Sequence, residues 1–122
     1  MIGKACISVV KYYNVVTRRQ SFKQRPVLII GEADSTDYVA LPISRVTNQS
    51  NLDQTFDFPM DIQSFSLKLT AKSYIRAHKQ FIVSKPEITK TICDFKKEYP
   101  DSFIEVLSLV ETFQKDMLSF AL

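Results

Sequence analysis

The chain has 122 residues, 45% hydrophobic and 24% charged, which suits one folded domain with a single core rather than two domains or a disordered polymer. It contains two glycines, one histidine and two isolated cysteines. No G-x-G-x-x-G or G-x-x-x-x-G-K-[ST] loop can therefore be written, and neither a zinc site nor a disulfide framework is expected.

The net charge is +3, but it is unevenly spread. Residues 1–85 hold 12 Lys/Arg against 6 Asp/Glu, and residues 86–122 hold 4 against 7. Six of the basic residues fall within the first 25 positions, with no acidic residue among them. A sign asymmetry of this kind suggests a face that attracts phosphates. Lys4 and Lys11 interrupt the start of the chain before an apolar run of signal-peptide length develops, and no window approaches the roughly 18 apolar residues of a membrane span. The expectation is a cytoplasmic protein with no membrane partner and with reduced thiols at Cys6 and Cys93.

In chain order, β-branched residues predict a first strand over 4–12. The polar, basic segment 13–24 reads as a long loop or an irregular hairpin. The run Val27-Leu28-Ile29-Ile30 predicts a second strand opened by Pro26, whose missing N–H is tolerated at a first position. Turn residues follow, then a third strand over 38–43, with Pro42 at an edge or a bulge. A polar loop leads to a candidate short strand at TFDF, before Pro59. Residues 64–70 alternate strictly and suit a strand or part of one. Residues 73–83 predict another strand, with Tyr74, Arg76, His78 and Gln80 on one face, opposite Ile75, Ala77, Phe81 and Val83.

The last third changes character. Residues 86–98 fit a helix or a short strand. From Pro100, apolar residues recur at Phe103, Leu107, Val110, Phe113 and Met117 with helical spacing. The fold class expected is mainly β with a C-terminal helix, a single domain of 1–122. Its small barrel or curved sheet covers about 4–83 and its helical part about 86–119.

Candidate chemistry narrows quickly. One histidine excludes a two-histidine ribonuclease mechanism, and the scattered carboxylates do not form the close spacing of a nuclease metal cluster, so no metal or cofactor is expected. What remains is a constellation of cations and hydroxyls near strand ends: Arg25, Ser44 and Arg45, then Arg76, His78 and Lys79. Such a set suits cleavage of RNA by its own 2′-OH, because fixed guanidinium donors stabilise the charge that develops on the phosphoryl oxygens. Arg25 precedes a proline, which biases it toward extended geometry on a stiff support. Its side chain keeps its proton to a pKa above ~12, so charge stabilisation or proton donation suits it better than base action. The competing reading of Arg25 is a solvated charge that keeps a sheet edge soluble.

The stretch KQRPVLII resembles the K-x-R-P-[AV]-L-[VI]-[IL] signature of the MazF/PemK family, the ribonuclease toxins of toxin–antitoxin pairs. YVALPISRV resembles that family's next strand, and LTAKSYIRAHKQFIV its downstream strand in a PemK-like form, so the likeness runs in order over roughly residues 5–115. The resemblance implies an SH3-like barrel of the MazF/PemK/CcdB type, a homodimer, a cognate antitoxin protein, and metal-independent cleavage of single-stranded RNA. It puts the catalytic roles on Arg25 and Ser44, and RNA contacts on Arg18, Arg19, Lys23, Arg45, Tyr74, Arg76, His78, Lys79 and Gln80. Ser44 stands where threonine is commoner, keeping the hydroxyl, and Gly3-Lys4 stands where many members have Gly-Asp. The alternatives are a non-catalytic barrel toxin of the CcdB type that poisons a protein target such as gyrase, and an inactive RNA-binding barrel.

Overall fold

A computed structural model of the chain describes residues 1–61 and 72–122. Seven strands and two helices follow in order: β1 (Lys4–Asn14), β2 (Arg19–Glu32), β3 (Asp37–Ser44), β4 (Asp57–Met60), β5 (Ser73–Arg76), β6 (Phe81–Ser84), β7 (Ile88–Asp94), α1 (Phe95–Glu98) and α2 (Pro100–Ala121). The antiparallel sheet runs β4-β5-β3-β2-β1-β7, with β6 also paired to β3. It is curled into a half-barrel with the long helix at the C-terminal end, a small α+β barrel-like architecture. No helix among the described residues is long and apolar enough to cross a membrane.

The basic segment 13–24 belongs to a hairpin rather than a loop. β1 and β2 stay in one register from Ala5↔Leu28 to Asn14↔Arg19. Only Val15 to Arg18 remain for the tip, where the Asn14 side-chain oxygen accepts from the Val16 and Thr17 amides at 3.0 and 3.2 Å. Arg18 closes the turn with φ 55°, the left-handed region that a four-residue return requires.

The four aliphatics after Pro26 are divided between two cores by the period of two. Leu28 joins Ala5, Leu41, Ile43, Phe58, Met60, Ile75, Phe95 and the helix residues Phe103, Val106 and Val110 in the main core, with Ile30 packed against it. Val27 and Ile29 join Cys6, Ala40 and Val83 in a smaller cluster on the other face. Lys23 and Arg25 share the alternation of Val27 and Ile29 and stand where that smaller core gives way to solvent.

Three expectations need correction. The candidate strand at TFDF begins at Asp57 and runs through Pro59, which the terminal strand of the sheet tolerates. Asp53 ends the preceding loop instead, its carboxylate accepting from the Thr55 and Phe56 amides. The helix buries Phe103, Val106 and Val110, whereas Leu107 at 36% exposure lies beside that stripe and Met117 at 50% falls in the terminal run 115–122, all of it exposed. The expected strand over 73–83 is two strands, β5 and β6, separated by a bulge. β3 pairs Ile43 with Ile75 and then Ala40 with Phe81, so two residues of β3 oppose five of the other strand. Three surplus residues reverse the alternation. Tyr74 therefore shares a face with Phe81 and Val83, not with Gln80. The expected strand over 64–70 lies outside the described residues. Residues 86–98 resolve into a 3-10 turn at Lys85–Glu87, then β7 and the one-turn helix α1.

Gly3 locks the start of the sheet to α1. Its amide donates to the Ile29 carbonyl at 2.8 Å and its carbonyl accepts from the Lys96 amide at 2.9 Å. With φ +89° and an added Cβ only 2.5 Å from the Lys96 Cβ, the position requires glycine.

Candidate functional site

An open cleft of about 460 Å³ lies over the smaller core, bounded by β1, β2, β3, the bulge and β6. Its lining is Val10, Tyr12, Lys23, Arg25, Val27, Pro42, Ser44, Lys79 and Phe81. The ladder explains the gathering. Val10 and Lys23 are direct partners in the β1–β2 register, Val27 pairs with Pro42, and Arg25 and Ser44 continue those two strands on the same face. Pro26 and Pro42 fix extended backbone beside both polar groups. Lys79 comes from the bulge, whose turn is closed by its own amide donating to the Arg76 carbonyl at 3.1 Å.

The lining holds three cations, two hydroxyls and two aromatic rings, and no carboxylate. That inventory suits an anion that also presents a flat apolar surface. Lys23 Nζ sits 4.6 Å from the Tyr12 ring centroid, which orders both side chains. Arg25 is exposed and, among the described residues, makes no ion pair or side-chain hydrogen bond, so its guanidinium donors are available to a ligand.

Ser8 was not singled out by sequence reasoning. It lies directly across β1–β2 from Arg25, is 1% exposed, and its hydroxyl has no hydrogen-bond partner among the described residues. A lone serine in the otherwise apolar alternation Cys6, Ser8, Val10 is the signal that could have marked it.

Of the eleven residues proposed from sequence, Lys23, Arg25, Ser44 and Lys79 line this cleft. Tyr74 pairs with Ser44 but is buried at 8% exposure, its ring under Lys72 Nζ at 5.6 Å. Arg45 follows Ser44, exposed and outside the lining. Arg18 and Arg19 occupy the hairpin tip, about 20 Å from Arg25 at the usual strand rise. Gln80 accepts from the Gln114 side-chain amide of α2 at 3.0 Å.

Arg76 and His78 belong to a different cluster. Arg76 Nε donates to Asp57 Oδ1 at 3.0 Å, and its terminal nitrogen donates to Asp57 Oδ2 at 3.3 Å and to the Asn51 carbonyl at 2.9 Å. Asp57 has a fully buried side chain, and its Oδ2 also accepts from the Asp53 amide at 2.8 Å. His78 packs between Phe56 and Phe113, with Nδ1 3.8 Å from Asp57 Oδ1, beyond hydrogen-bond reach. Burial holds its pKa below the usual histidine value, against the opposing pull of Asp57 and Asp53. The only histidine therefore stands outside the cleft. Its imidazole offers no acid or base there.

No family model matches the sequence, and no curated protein matches it.

Proposed function

We propose that the protein is an endoribonuclease of the MazF/PemK toxin type, with an SH3-like barrel, and that the cleft receives a phosphodiester of single-stranded RNA. The observation that carries this reading is the meeting of Arg25, Ser44, Lys23 and Lys79 in one carboxylate-free cleft, beside two rings on which bases can stack.

In the reaction proposed, the ribose 2′-oxygen attacks phosphorus as its proton leaves. The P–O2′ bond forms, the P–O5′ bond breaks, and the departing 5′-oxygen gains a proton. The products are a 2′,3′-cyclic phosphate and a 5′-hydroxyl. Arg25 holds the non-bridging oxygens through its fork of N–H donors, and the Ser44 hydroxyl donates to the same phosphoryl group. Lys23 and Lys79 hold the neighbouring backbone charge. Every atom transferred comes from RNA or water, so the scheme calls for no metal. The same reading includes a homodimer and a cognate antitoxin. Ile104, Leu107 and Leu118 are exposed along one flank of α2, beside its buried stripe, and are the surface a second copy would cover.

A cleavage assay on long single-stranded RNA in EDTA, with the ends mapped, tests the reading. Discrete cuts ending in 2′,3′-cyclic phosphate are expected, slowed by a factor on the order of 10² to 10³ in Arg25→Ala. Arg25 is exposed, so the variant should keep its fold by circular dichroism. Intact RNA across varied sequences, or equal cutting by the variant, would refute the assignment. Binding without cutting would leave an RNA-binding barrel.

A further inference from the structure

The strand β1 is paired along its full length on one side only. Toward β2 it is continuous from Ala5 to Asn14, whereas toward β7 the pairing ends at Ser8↔Ile88. The chain that would have extended β7 turns away through the 3-10 turn Lys85–Glu87, whose Pro86 has no N–H to offer a ladder. Among the described residues, no other strand pairs with Val9 to Asn14 on that side. Six residues, about 20 Å of strand, therefore present alternate main-chain donors and acceptors outward.

Beside this edge lies a second groove of about 520 Å³, separate from the cleft and sharing only Val10 with it. Val9, Lys11, Phe22, Pro86, Glu87 and Thr89 line it. Phe22 is the register partner of Lys11, whose Nζ stands 5.9 Å from its ring centroid. The groove thus offers apolar surface beside an open row of amides. This is the form in which a sheet accepts an added strand.

The charge of the hairpin selects among strands. Lys4, Lys11, Arg18, Arg19, Lys23 and Arg25 precede the first acidic residue, Glu32. A second copy pairing edge to edge would set two such blocks together, so Lys11 and its neighbours guard the edge against self-association. An incoming segment with carboxylates meets the opposite situation. Glu87, at the β7 end of the groove, restricts those carboxylates to the half nearer Lys11 and the tip.

We propose that the outer edge of β1, from Val9 to Asn14, is a docking site for an extended acidic polypeptide segment. The segment adds as a strand in line with β7 and sets alternate side chains into the groove. A bound strand would run along the wall of the cleft at Val10. The docking is independent of the ribonuclease reading, and only an effect on cleavage would rest on it.

The test uses the full chain and an acetylated decapeptide of alternating valine and glutamate. Three controls accompany it: the peptide N-methylated at alternate residues, a valine–lysine analogue, and polyuridylate. Hydrogen exchange read by NMR should show alternate amides between Val9 and Asn14 protected by the first peptide. Binding should weaken about tenfold in Lys11→Glu and with the N-methylated peptide. Ser44→Ala should bind as tightly as wild type even if it cleaves no RNA, which separates this proposal from the preceding one. Equal binding of the N-methylated or valine–lysine peptide would overturn it. So would protection confined to the cleft, polyuridylate protecting the same edge amides, or those amides being protected already in the peptide-free protein in proportion to its concentration, the mark of a second copy on the edge.

Discussion

Replacing Arg76 with methionine separates two roles that the sequence left joined. Arg76 and Asp57 are direct partners in the β4–β5 ladder, and the Asp57 carboxylate has no exposed surface. In Arg76→Met that charge loses both guanidinium bonds, and the bond from Arg76 to the Asn51 carbonyl is lost with them. Among the described residues, the Asp53 amide is the hydrogen-bond donor left to it, with His78 Nδ1 3.8 Å away. Breaking a buried pair costs roughly 3 to 5 kcal/mol, and the 19% exposure of Arg76 puts this case near ~3. In a domain of this size about 1 kcal/mol moves Tm by about 4 °C, so a fall of about 12 °C is expected. The double variant Asp57→Leu/Arg76→Met removes the stranded charge and should recover most of that loss, leaving the Asp53 amide short by ~1 kcal/mol. Thermal melts of wild type, Arg76→Met, Asp57→Leu and the double variant close the cycle. An unchanged Tm in Arg76→Met, together with weaker RNA binding, would refute the structural assignment and return Arg76 to the RNA surface.

Three further outcomes follow from particular contacts. His78 is neutral in the folded state below the pH at which it charges when unfolded, because burial lowers its pKa; stability is therefore full above about 6.5 and falls as pH drops through that value. Tm measured from pH 7.5 to 5 should decline in wild type and decline less in His78→Gln, and parallel curves would exclude His78 as the source. Gly3→Ala combines positive φ with a Cβ driven into Lys96, and should lose at least about 1 to 2 kcal/mol in a urea melt; no loss would mean that α1 shifts freely. Ser8→Ala removes a buried hydroxyl without a partner and should gain about 1 kcal/mol of stability, whereas a loss would show that the hydroxyl is satisfied in solution.

The legible parts of the fold were those set by local rules. Val27 to Ile29 lies buried and Ile30 half-buried, and helical spacing after Pro100 gives α2 with proline in its first turn. Arg25 and Lys23 could be put on one face with Val27 and Ile29 from the period of two alone. What escaped depends on partners distant in sequence. Whether 13–24 is loop or hairpin rests on the register of β1 with β2, which no single window contains. Asp57 read as one of several scattered carboxylates, because its ion pair joins it to a residue 19 positions away. The end of the buried stripe on α2 is fixed by where the sheet stops, not by the helix's own sequence.

The bulge between β5 and β6 shows how one irregularity reorganises a site. An uninterrupted strand over 73–83 would have put Arg76, His78 and Gln80 in a row with Tyr74, a plausible phosphate-binding face. Three surplus residues divide that row instead. Arg76 turns to Asp57, His78 enters the gap between Phe56 and Phe113, Gln80 reaches α2, and Lys79 is left to project into the cleft. A bulge costs ladder hydrogen bonds, so it needs anchoring. The buried carboxylate supplies that anchor at one end and the Phe81–Ala40 pairing supplies it at the other. Arg76 thus bears on the cleft without entering it. By fixing the start of the bulge it sets where Lys79 stands, although its own three bonds go to Asp57 and Asn51.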